Sequence, residues 1–96
     1  MKARYEPAAR VELLEALRWY LDNAGPRRTD AFERELDVAV HLVMSRPGLG
    51  TPGPGGTRSL PLPRFPYTLH YRVEREMIRI LAVAHQRRKP GYWRKR

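Results

Sequence analysis

Few side chains in this sequence can move a proton near neutral pH, and they are scattered. The histidines are His41, His70 and His85, and Tyr92 stands seven residues after the last of them. Arginines surround the two later histidines: Arg58, Arg64, Arg72 and the Arg87-Arg88 pair. A base, an acid and a cation beside a phosphate are what cleavage of RNA through its 2′-hydroxyl requires, so these residues are the candidates for such chemistry. His41 falls within a helical stretch and reads as a surface residue. No cysteine is present, which removes a thiolate nucleophile, a disulfide framework and thiolate zinc sites. No acidic or histidine cluster has metal-ligand spacing, so neither metal nor cofactor is expected.

What could hold these groups is read from periodicity. Lys2 to Glu6 is a short strand, and Pro7 suits the first turn of a helix. Ala9, Leu13, Leu17, Tyr20 and Ala24 recur at helical spacing, and Gly25-Pro26 ends that helix. A second helix opens near Asp30, with Glu33 placed to complete a capping box. Its stripe is Phe32, Leu36, Ala39, Val40 and Val43, and Pro47-Gly48 stops it. A connection this short predicts an antiparallel helical hairpin. Residues 47–57, PGLGTPGPGGT, read as a flexible Gly/Pro loop; they lack the lysine and the strand–helix context of a phosphate cradle.

Beyond the loop the period becomes two. Arg58 to Leu62, Tyr67 to Val73 and Met77 to His85 read as strands of an antiparallel meander, the first an edge because of Pro61 and Pro63. Joining the last two through Glu74-Arg75-Glu76 sets Val73 against Met77, Tyr71 against Arg79, Leu69 against Leu81 and Phe65 against His85. One face then carries Tyr67, Leu69, Tyr71, Val73, Met77, Leu81 and Val83, the core face beneath the hairpin. The other mixes Thr68, His70, Arg72, Ile78, Ile80 and Ala82, too apolar to lie bare, so something must cover part of it. On this register His70 and His85 lie five residues of strand apart, about 15 Å, and point to opposite faces, which argues against a two-histidine site. The whole is one α+β domain over residues 1–96: N-terminal strand, antiparallel helical hairpin, then a C-terminal antiparallel β-meander packed on it, with a basic aromatic tail over 86–96. Within that tail Trp93 reads as an anchor folded back onto the domain, the alternative being that Tyr92 and Trp93 stack on bases.

Charge narrows the partners. The chain carries 19 Lys+Arg against 10 Asp+Glu, a formal net charge of +9. Through Gly48 basic and acidic residues balance; the excess lies wholly in the second half and is mostly arginine, which points to a polyanion or an acidic protein segment. No apolar run approaches the roughly 20 residues of a membrane span, and the N-terminal residues have no signal-peptide core, so a cytoplasmic protein is expected.

Arg64-Phe65-Pro66-Tyr67, Tyr71-Arg72, the apolar strand Leu81-Ala82-Val83-Ala84 ending in His85, then Arg87-Arg88, Pro90 and Tyr92-Trp93 together resemble the RelE/ParE toxin superfamily, on its ParE-like, plasmid-stabilisation side. Ala16 and Trp19-Tyr20 fit the same pattern, and the resemblance spans essentially the whole chain. It implies a bacterial toxin of a type II toxin–antitoxin system, neutralised by a cognate antitoxin, with operator DNA bound only through that antitoxin. ParE-like members are associated with inhibiting DNA gyrase by binding; RelE-like members cleave messenger RNA on the ribosome. In the nuclease alternative Arg64, His85 and Tyr92 match the catalytic positions, but the lysines of the nuclease kind are missing. Arg58, Arg64, Arg72, Arg87, Arg88, Tyr92, Trp93 and Arg94 are the expected contacts to target or nucleic acid. His70, Arg72, Ile78 and Ile80, on the half-apolar sheet face, are the expected antitoxin contacts.

Overall fold

A computed structural model describes residues 1–96. Strand β1 (Lys2–Tyr5) leads into helix α1 (Pro7–Ser45), and four strands follow: β2 (Thr51–Pro52), β3 (Thr57–Pro61), β4 (Tyr67–Glu74) and β5 (Met77–His85). They form one five-stranded sheet in the order β1-β5-β4-β3-β2. All neighbours are antiparallel except β1, which runs parallel to β5 along the far edge. No helix is long and apolar enough to cross a membrane.

The 39 residues of α1 are not one straight helix. Such a helix would extend about 58 Å at 1.5 Å per residue, whereas the molecule is only 38 Å in its longest dimension. The break is Gly25, whose φ of 85° and ψ of 171° are non-helical and fall where a Cβ is penalised. The chain folds back there, bringing Tyr20 and Phe32 to a ring-centroid separation of 5.0 Å although twelve positions part them. The hairpin of the sequence reading is thus present, with arms 7–24 and 26–45. The start of its second arm is corrected: the helix resumes at Pro26, as a first-turn proline allows, so Asp30 lies inside the arm and does not cap it.

Buried Ala9, Ala16, Tyr20, Phe32, Leu36, Ala39, Val40 and Val43 lie over Leu69, Tyr71, Ile78, Ile80 and Val83 of the sheet. Two features reset the strand register. Glu74 pairs with Met77, so the turn is the two residues Arg75-Glu76, with Arg75 at φ 54°. Then Tyr71 pairs with Ile80 but His70 pairs with Ala82, leaving Leu81 as a bulge. The one-residue change sends Ile78 and Ile80 to the helix side, and the bulge restores Val83 to that side while Leu81 turns away.

The expected antitoxin contacts Ile78 and Ile80 are therefore corrected. Both are fully buried under the hairpin, beyond reach of a partner unless the helices leave. The half-apolar face now consists of Leu81, Ala82 and Ala84, and Trp93 of the tail covers it. The Gly/Pro stretch contains β2 and a 3-10 turn at Pro54–Gly56. It is tied to the sheet by Tyr71, whose hydroxyl accepts from the Gly50 N–H and donates to the Pro47 carbonyl, each at 2.8 Å. Arg58 donates to the carbonyls of Gly48 and Gly50.

Candidate functional site

The sequence reading gave Glu12 no role, yet its carboxylate on the first arm organises the C-terminal tail. It is nearly buried, and four groups converge on it. The Val83 N–H donates at 3.1 Å, where the bulge in β5 frees that donor from the ladder. The Tyr92 hydroxyl donates to the other oxygen. Arg96 donates through both terminal nitrogens, at 2.8 and 3.2 Å. Arg88 stands 3.7 Å away and lays its guanidinium 3.8 Å over the Tyr92 ring. A carboxylate has about four acceptor positions, so these donors fill it. Burial, then the hydrogen bond to Glu12 and its charge, raise the Tyr92 phenol well above its usual value, so it stays a donor and is a poor base at neutral pH.

Arg88 and Tyr92 also help to wall a cleft of about 270 Å³. Its floor is β3 and β4, with Ser59, Thr68 and His70; its rim is Gly53 on one side and Lys89 and Arg94 on the other. Trp93 stacks on His70 with centroids 4.2 Å apart and planes 24° from parallel. The His70 Nδ1 shares a 2.8 Å hydrogen bond with Ser59 Oγ. Burial lowers the His70 pKa from 6.5 to about 4; Glu12 opposes this and Arg94 adds to it. The imidazole is accordingly neutral at physiological pH.

His85, Tyr92 and Arg88 border both this cleft and a notch on the helix side, where exposed Trp19 meets Tyr67. His85 packs edge-on against Tyr67, centroids 5.0 Å apart, and its Nδ1 accepts from the Arg87 N–H at 3.1 Å. Arg64 belongs to neither surface. Its backbone N–H and its Nε both donate to Glu35, each at 2.9 Å. Arg72 donates to the Gly55 carbonyl and pairs with Glu74. The expected contact residues thus divide: Arg88, Tyr92, Trp93 and Arg94 gather around the tail, Arg87 is exposed beside them, and Arg58, Arg64 and Arg72 brace loops. His70 and His85 both border the cleft, although their strand pairings differ from expectation: His70 with Ala82 and His85 with Tyr67. Nothing in the sequence marked Glu12 beyond its being a carboxylate on the apolar stripe of the first arm, one turn after Ala9.

Fold and site define a small, basic α+β domain with a formal net charge of +9. The model of the ParE toxins of type II toxin–antitoxin systems, parDE, matches residues 3–90, and the chain belongs to that family. Among solved structures it is similar to one described as the chromosomal ParDE toxin–antitoxin system from P. aeruginosa. That match has a TM-score of 0.77 and 24% identity, and it covers 88% of this chain and 95% of the other. No curated protein matches the chain.

Proposed function

We propose that this ParE-family toxin acts by stoichiometric binding to DNA gyrase and is silenced by a cognate antitoxin, both in the bacterial cytoplasm. The family match over residues 3–90 carries the reading. The site geometry supports binding over RNA cleavage. Of the three residues that a nuclease would use, Arg64 is committed to Glu35, Tyr92 donates to Glu12 with its phenol pKa raised, and His85 accepts from the chain itself. General base catalysis works best with a group poised near the operating pH, and Tyr92 is far from that.

For the antitoxin, the exposed flanks of the hairpin are the favoured surface. Val11, Leu14 and Leu21 on the first arm and Val38 and Leu42 on the second are large apolar side chains that remain exposed. An amphipathic segment with acidic flanks would bury them while its charge answered the arginine-rich half. DNA supercoiling by gyrase in the presence of purified toxin tests the proposal. Inhibition that added antitoxin reverses is the expected result. Full supercoiling beside a folded toxin, with messenger RNA cut in a translating extract, would replace it with the nuclease reading.

A further inference from the structure

The cleft behind the tail has an electrostatic character that neither fold nor family explains. Sixteen residues line it, and none is acidic. Three are cations: Arg88, Lys89 and Arg94. Arg88 has Glu12 as its counterion, but neither Lys89 nor Arg94 forms an ion pair in the structure. Arg94 is exposed, lines the cleft and lies close enough to His70 to act on its charge. Gly91, at φ 77°, makes the turn, and a Cβ placed there would lie 2.8 Å from the Arg94 Nε. The positive φ favours glycine there, and the Arg94 guanidinium lies close over that turn.

The uncharged polar groups complement those cations. Ser59 and Thr68 carry hydroxyls on the floor. His70 uses Nδ1 toward Ser59, which leaves Nε2 as the ring position open to another partner. When the serine hydroxyl donates to Nδ1, Nε2 carries the proton and can donate in turn. The aromatic faces, by contrast, are taken. Trp93 is buried and covered by His70, and Tyr92 is covered by Arg88. The ring faces that His70 and Arg88 cover are closed to a nucleobase. A volume of 270 Å³ lies just below the range of about 300–1,000 Å³ usual for drug-sized ligands, so the occupant is a small group.

We infer that this cleft is an oxyanion site for a phosphate group, held by Arg94 and Lys89 with the His70 Nε2–H, oriented by Ser59, and the Thr68 hydroxyl as neutral donors. The site reads the phosphate and not the base attached to it. It is separate from the hairpin flanks proposed for the antitoxin, because none of their residues lines it. The phosphate can come from a free nucleotide or from the end of a nucleic-acid strand.

Titration calorimetry of the full chain with inorganic pyrophosphate tests the assignment, using Arg94→Gln, Lys89→Gln and Arg87→Gln in parallel. Arg87 is exposed, carries the same charge and lies outside the cleft lining, so it controls for general attraction. Saturable one-to-one binding is expected, weakened about tenfold by R94Q or K89Q and less than about twofold by R87Q. Near-UV circular dichroism of the Trp93–His70 stack verifies that each variant keeps its tail. Competition by adenosine diphosphate would assign the phosphate to a free nucleotide; competition only by a 5′-phosphorylated dinucleotide would assign it to a strand end. Absence of saturable binding, or equal losses in all three variants, would overturn the site.

Discussion

Glu12 shows how far one side chain can reach in a chain of this size. Its four donors come from residues 71 to 84 positions away, so one carboxylate fixes both the bulged strand and the tail. Removing an acceptor that buried charged donors depend on costs their desolvation as well as the bond. Glu12→Gln should lower unfolding free energy by about 2 kcal/mol in urea titration. Breaking the exposed Arg18–Asp22 pair with Arg18→Gln should cost under about 0.5 kcal/mol. Equal effects would mean that the tail is not held through Glu12. His70 supplies a pH test. Its folded pKa lies below its unfolded one, so the unfolded chain binds the extra proton between the two values. Stability is thus complete above pH 6.5 and falls as pH drops toward about 4. His70→Phe keeps a ring on Trp93 but cannot titrate. Melting temperature over that window should fall more steeply for the parent than for H70F; parallel curves would remove His70 as the cause.

At the scale of elements, glycine positions and registers decide what the sequence discloses. Gly25-Pro26 signals a helix stop plainly, and the structure places the fold-back there. A Cβ on Gly25 would meet nothing within 4 Å, so a substitution there is opposed by backbone conformation alone. Gly25→Ala and Gly25→Asn should both destabilise by about 1–3 kcal/mol in chemical denaturation, because φ 85° with ψ 171° is a region that essentially only glycine populates. A loss under about 0.5 kcal/mol for either would show that the fold-back does not depend on that conformation. The β4–β5 hairpin was less legible. Arg75 occupies a positive-φ turn position usually held by glycine or asparagine, so a two-residue turn could not be read from residue types. The Leu81 bulge is hidden in Ile-Leu-Ala-Val-Ala, where every residue is apolar and alternation carries no phase. The turn accounts for the misplacement of Ile78 and Ile80, and the bulge for Val83 keeping its expected face. Of the site, the clustering of Tyr92, Trp93 and the tail arginines was visible in sequence because those residues are neighbours. Glu12 was not, since its partners are remote in the chain. Arg64 was visible as an arginine but not as the partner of Glu35, for the same reason.

For the molecule as a whole, the sheet's second face is closed by the chain's own tail, while the hairpin's outer flanks remain bare. A partner that binds only the folded chain stabilises it by mass action, about 2.7 kcal/mol at a hundredfold excess over the dissociation constant. Saturating antitoxin should accordingly raise the melting temperature by several degrees, and Leu14→Glu with Val38→Glu should abolish that rise without unfolding the free toxin. An undiminished rise in the double variant would move the antitoxin off the hairpin. Inhibition by occupancy and not by cleavage has a definite dose dependence. Gyrase supercoiling should be titrated with toxin at several fixed gyrase concentrations well above the dissociation constant. On the present account the toxin required for half-inhibition rises in proportion to gyrase, and His85→Ala and Tyr92→Phe variants that remain folded inhibit as the parent does. Substoichiometric toxin that abolishes supercoiling, or loss of all effect in both variants, would contradict it.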